Sequence, residues 1–222
     1  MSITRRSNFI DSMRGSAVVL MVIYHFCYDL DHFRIVSFDF NNDPFWINFR
    51  SLIVSMFLAL VGVSLMLAHH KGIRWQHALK RVLVLLACSL LISVVSYWLF
   101  PGRTIWFGIL HFITVGSLLA ILFVKHPVYS FIIGVLLISI GNAVSDSHFN
   151  QPWLHWIGLM THKPLTEDYV PLLPWLGVVL CGITLGHLLI HTVAGKGVLN
   201  FNNSFTASVT LNMAGRYSLW IY

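Results

Sequence analysis

Four ionisable side chains recur along one side of an apolar stretch near the N-terminus, DSMRGSAVVLMVIYHFCYDLD, Asp11 to Asp31. On an α-helix each residue turns by about 100° and rises about 1.5 Å. Arg14 and His25 are eleven residues apart, so they point the same way at depths roughly 16 Å apart. Asp29 follows His25 at i+4, and Asp11 precedes Arg14 at i−3, both on that face. A histidine with an acid one turn away can serve as a general base, the acid fixing its tautomer and stabilising the imidazolium. Arg14 keeps its proton, and its planar fork suits phosphate or carboxylate. One arrangement uses all of them. Arg14 holds a phosphate-bearing donor at one end, the reactive end of that donor extends towards His25, and an acceptor arrives from the other side. The thioester arm of coenzyme A has about the right length for the roughly 16 Å between the two residues. In the plainer alternative, Arg14 caps the helix at the lipid headgroups and His25–Asp29 is an interfacial hydrogen bond.

Such a stripe needs an apolar enclosure, because ionisable groups inside a membrane are costly and mark function by default. The 222 residues are 57% hydrophobic and only 10% charged, where a soluble domain carries about 25%. Apolar runs near 20 residues recur, the length that crosses a bilayer. The alternation of a transmembrane barrel does not occur in the sequence. The reading is an all-α, polytopic integral membrane helical bundle forming a single domain over residues 1–222. Arg5 and Arg6 precede the first apolar run as in a signal peptide, but the run ends in HFCYDLD without a small-residue cleavage site. It reads as a retained first helix.

The pattern predicts helices over about 11–30, 45–68, 78–100, 104–124, 128–144 and 171–190. A seventh begins near Phe205 and stops within an apolar run, so the last helix is expected to be truncated. With the N-terminus cytoplasmic, ten of the fourteen Lys and Arg fall inside, leaving Arg34, Arg50, Arg103 and Lys163 outside. That bias matches the positive-inside rule. Seven of the eight acids then lie outside, Asp11 being the exception. The net charge of +6 follows from this bias, and no nucleic-acid partner is inferred from it. Cys27, Cys88 and Cys181 fall in apolar segments as packing residues. No HExxH and no paired CxxC occurs, so no metal is expected.

Five segments together resemble a known family. They are YHFCYDL (Tyr24–Leu30), the run from DPFW to FLALVGVSL (Asp43–Leu65), FGILHFI (Phe107–Ile113), DYVPLLPWLGVVLCG (Asp168–Gly182) and GRYSLWIY (Gly215–Tyr222). The arginine–histidine spacing of Ile10–His25 is similar to that of the acyltransferase-3 family. The whole set is closer to the small bacterial proteins of the heparan-α-glucosaminide N-acetyltransferase catalytic-domain family, within the transmembrane acyltransferases. The resemblance implies acetyl transfer from cytoplasmic acetyl-CoA, as co-substrate, to an extracytoplasmic amine or hydroxyl, with a saccharide as acceptor. It implies a bacterial inner-membrane location, His25 as base and Arg14, with Asp11, at the donor. It leaves His32 as a second candidate in that region. Family members continue beyond the GR-S-IY motif into a helix with a His-Gln-Pro element.

Arg50, His111, Asp168 and Arg216 complete the candidate set, as groups that contact the acceptor or support those that do. Arg50 needs a partner if buried, and Asp29 or Asp43 would serve. His111, between Leu110 and Phe112, has the alternative of satisfying a backbone carbonyl. Asp168-Tyr169 precedes Pro171 and Pro174 in what looks like a loop entering the membrane, where irregular backbone must line protein or a cavity. Gly62, Gly108 and Gly177 read as packing residues. Small residues spaced four apart suit a homodimer and suit packing within one bundle equally well. Two other classes stay open at this stage. A haem- or quinone-linked redox protein could use His25, His111 and His187 and would show visible absorption. A small-solute transporter would accumulate substrate without acetyl-CoA.

Overall fold

The computed structural model describes residues 7–200 together with Met213 and Gly215. Among these every regular element is helical. The helices are α1 (Asn8–His32), α2 (Pro44–His69), α3 (Trp75–Leu99), α4 (Ile109–Ile121), α5 (Pro127–Ala143), α6 (Leu172–His191) and α7 (Val193–Asn200). Two short 3-10 turns, Ser147–Asn150 and Pro152–Ile157, lie between α5 and α6. Helices α1, α2, α3 and α6 are each long and apolar enough to cross a membrane. The expected seventh helix lies outside the described residues apart from Met213 and Gly215.

The chain divides into two compact units, Met1–Leu60 with Leu188–Tyr222, and Val61–His187. In the first, α1 buries a narrow strip of Ile10, Asp11, Gly15, Ala17 and Val18. Asp11 sits in the first turn, where a carboxylate complements the exposed N–H groups of the helix. The C-terminus closes when Arg34 takes a left-handed φ of 58°, the stop that ends many helices. Phe33 N–H then donates to the Asp29 carbonyl, and Ile35 N–H to that of Leu30. Asp31 near the end of α1 and the two acids of the following loop hold its turns. Asp31 accepts from Phe38 N–H, Asp39 from Asn41 and Asn42, and Asp43 from Phe45 N–H at the start of α2. Bonds from the Asn42 side chain, then its backbone, hold the exposed Asp39 carboxyl below its ordinary range.

The second unit is built on close approach at glycines. A Cβ on Gly62 of α2 would overlap the Val179 carbonyl of α6, and one on Gly177 of α6 would overlap that of Gly134 of α5. Backbones this near need hydrogen-only positions, a common device of membrane helices. Hydroxyls tie the same seam. Ser130 donates to the Leu180 carbonyl at 2.9 Å, and Thr184 to that of Pro127 at 2.8 Å. Phe112, Val63, Val179, Leu180 and Ile183 form the fully buried centre.

The expected helix over residues 104–124 is corrected. It starts at Ile109 and ends at Ile121. Gly108 is extended, with φ −94° and ψ −170°. Residues 104–107 run beside the loop before α6, with Thr166 Oγ1 donating to the Thr104 carbonyl and Val170 N–H to that of Phe107. Backbone committed to that pairing is not available for a helix.

Candidate functional site

In the first unit, the stripe along α1 begins with an ion pair. Arg14 donates to Asp11 at 3.0 Å and to the Gly215 carbonyl at 3.4 Å. The Asp11 side chain is 3% exposed and that of Arg14 24%. A carboxylate so buried is tolerable only with a cation beside it. Gly215 lies against the Asp11 carbonyl, where a Cβ would overlap. Asp11 and Arg14 therefore act as one unit, with the carboxylate fixing the guanidinium.

His25 and Asp29 are exposed on α1. The His25 ring stands edge-on to Tyr24, centroids 5.9 Å apart. No hydrogen bond joins His25 to Asp29 among the described residues, so the structure does not hold the expected base–acid pair as a made bond. Side chains four apart on a helix are neighbours, with about 5–6 Å between Cβ atoms, so rotamer changes alone bring the pair together. His32 is exposed in the last turn of α1, edge-on to Phe33 at 5.4 Å.

Arg50 has a neighbour that the sequence does not announce. It lies near enough to the Tyr24 hydroxyl to act on it electrostatically, and no ion pair joins it to Asp29 or Asp43 among the described residues. Tyr24 also packs edge-on against Phe40, Trp46 and Phe49, at 5.4, 6.0 and 6.1 Å. Phe40 and Trp46 are buried, which brings the 33–43 loop back onto α1. The residue next to His25 is therefore anchored by an aromatic cluster, with a cation nearby. The signal in the sequence is the aromatic content of residues 38–49.

In the second unit, Asp168 and His111 meet at the N-terminus of α4. Asp168 Oδ2 accepts from Ile109 N–H at 2.7 Å. His111 Nδ1 accepts from Gly108 N–H at 3.3 Å, and its Nε2 lies 2.9 Å from Ser93 Oγ. The Ser93 hydroxyl has one proton and is 2.7 Å from the Ile105 carbonyl, which can only accept. A backbone N–H can only donate, so Nδ1 bears no proton and Nε2–H donates to Ser93. In this arrangement His111 is a brace that joins α3 to the start of α4. Both of its ring nitrogens are taken by protein, which leaves no lone pair for the haem reading. Gly108 is more than a packing residue. A Cβ there would overlap the Asp168 carboxylate. Arg216 lies outside the described residues.

The loop before α6 is tied to this corner. Arg103 pairs with Glu167 at 3.0 Å. The Tyr169 hydroxyl donates to the His155 carbonyl at 2.7 Å, and burial pushes its pKa up to about 12. The expected irregular loop is thus a bonded structure, with Asp168 as its contact to α4.

Across residues 6–222 the chain matches the family model described as heparan-alpha-glucosaminide N-acetyltransferase, catalytic. No curated protein and no solved structure matches it.

Proposed function

We propose, for a chain that belongs to the heparan-α-glucosaminide N-acetyltransferase catalytic family, that this membrane acetyltransferase moves an acetyl group from cytoplasmic acetyl-CoA to an extracytoplasmic amine or hydroxyl of a saccharide. The observation that carries the reading is the match over nearly the whole chain, joined to the polar stripe on α1. Arg14, fixed by Asp11 at 3.0 Å, contacts the phosphates of the donor. The acetyl thioester reaches along α1 to His25, about 16 Å further on. Asp29 orients the imidazole.

With an amine acceptor, the nitrogen attacks the thioester carbonyl, a C–N bond forms and the C–S bond breaks. His25 takes the proton from nitrogen and returns it to the departing thiolate, giving the acetamide and free coenzyme A. A route through acetyl-His25 uses the same group as nucleophile and then restores it. Tyr24 fixes the neighbouring turn of α1, with Arg50 nearby. Asp168 and His111 support the loop before α6, whose irregular backbone suits an acceptor contact, and Arg216 belongs to the same set. The enzyme acts in a lipid bilayer, in the inner membrane if it is bacterial, as one domain over residues 1–222 with its N-terminus inside.

Equilibrium binding of acetyl-CoA to the purified chain, wild type against Arg14→Lys, tests the donor assignment. Lysine keeps the charge beside Asp11, so the buried carboxylate is not stranded, but it loses the fork. Binding weakened about tenfold or more, the loss of one good charge-assisted hydrogen bond, supports the assignment. Equal affinity removes Arg14 from the donor site.

A further inference from the structure

The connection between α2 and α3 gathers positive charge at one end of two helices that are each able to cross a membrane. Lys71 and Arg74 fall in this connection, Lys80 and Arg81 in the first two turns of α3, and no Asp or Glu occurs between Asp43 and Asp146. The three acids of the Val61–His187 unit are engaged elsewhere. Asp146 accepts from His148 N–H, Glu167 pairs with Arg103, and Asp168 caps α4. Lys71, Arg74 and Lys80 are exposed and make no ion pair among the described residues. The turn that presents them is a built one. Gly72 has a φ of 139°, its N–H donates to the His69 carbonyl, and the buried His69 accepts Arg74 N–H at 3.2 Å. Arg74, Arg81 and His77 are all near enough to act electrostatically on His69. Arg74 and Arg81 are thus held near this turn, and Lys71 lies within it.

The surface beside them is apolar. Trp75, Leu79, Leu83 and Val84 are each more than half exposed. Leu83 and Val84 follow Lys80 by three and four residues, on its face of α3. Helical side chains lean towards the N-terminus, so the Lys80 ammonium points away from Leu83 and Val84 and towards the end of the helix, beyond the apolar surface. We infer that this end of α2 and α3 is a binding surface for an anionic phospholipid, with Lys71, Arg74 and Lys80 meeting the headgroup phosphate and Trp75, Leu79 and Leu83 flanking the acyl chains. A soluble phosphate would need the cations and not the adjoining apolar wall. Basic residues that served only to set topology during insertion would leave the folded protein indifferent to headgroup charge.

The test uses the full chain purified in neutral detergent, titrated with phosphatidylglycerol or phosphatidylcholine and read by native mass spectrometry for retained lipid. Phosphatidylglycerol is expected to be retained at least about tenfold more tightly, a preference that high salt weakens. The K71Q/R74Q/K80Q variant loses the preference. The charge-keeping K71R/R74K/K80R variant retains it, as does K125Q/K196Q, which removes two cations elsewhere. Equal retention of the two lipids overturns the inference, and so does a preference that survives K71Q/R74Q/K80Q. Displacement of phosphatidylglycerol by stoichiometric inorganic pyrophosphate or coenzyme A also overturns it, by assigning the cations to a soluble phosphate.

Discussion

Gly108 and Asp168 give the sharpest structural prediction, because the same carboxylate explains both residues. Gly108 has φ −94°, a conformation open to any L-residue, so Gly108→Ala carries no backbone strain. Its cost comes from what the methyl meets. The new Cβ overlaps Asp168 Oδ2 and lies 2.8 Å from its Cγ and 2.9 Å from Ile105 Cγ2. The Ile105 atom is the end of a side chain and can move. The carboxylate can move only by giving up its 2.7 Å bond to Ile109 N–H. Losing that cap and leaving a buried donor without a partner costs about 1–3 kcal/mol. Asp168→Ala removes the cap directly and should cost a similar amount. The two losses are one loss, so Gly108→Ala in an Asp168→Ala background should cost little more, giving a coupling energy of about 1–2 kcal/mol. Thermal unfolding of the four proteins in one detergent measures it. A chain of this size loses roughly 2–4 °C per kcal/mol, so each single variant should fall by roughly 4–8 °C for a cost near 2 kcal/mol. The double variant should fall by nearly the same. Additive losses, within about 0.5 kcal/mol, would refute the shared cause.

Gly177→Ala drives a methyl into the Gly134 carbonyl and within 3.0 Å of Ile138 N. It should destabilise by about 1–3 kcal/mol or more through overpacking, seen as a lower unfolding temperature. Tyr169 has its pKa raised from 10.0 to about 12. A raised folded value means that its contribution is fully present below pH 10 and is lost as pH rises towards 12. Tyr169→Phe should flatten the fall in stability across that window, measured by unfolding at stepped pH. For His111, nitrogen NMR should find Nδ1 without a proton. A protonated Nδ1 would contradict the bond from Gly108 N–H.

The long apolar runs made most helices legible. Residues 8–32, 44–69, 75–99, 127–143 and 172–191 lie within a few positions of the ranges read from hydropathy. The start of α4 was not legible, since Thr104–Gly108 is apolar enough to continue a helix. What stops it is a carboxylate some sixty positions later, and no local pattern announces such a partner. The pairing of Arg14 with Asp11 follows from helix periodicity and is present. Arg50 makes no ion pair with Asp29 or Asp43 among the described residues, and the group its charge acts on is a tyrosine hydroxyl inside an aromatic cluster. The acids of residues 31–43 are spent on backbone N–H groups, as short polar side chains in turns commonly are. His25 and Asp29 share a face, as their spacing requires, and helix geometry alone does not decide whether they bond.

Transfer through His25 is measured directly as the rate of labelled acetyl transfer from acetyl-CoA to an amino-sugar acceptor in proteoliposomes. Wild type is compared with His25→Ala, each shown to be folded by its unfolding transition. Removal of a general base should lower the rate by about 10²–10⁴-fold. A His25→Ala variant that transfers acetyl groups at the wild-type rate would contradict the account and leave His32 as the histidine of this region to be replaced in its turn.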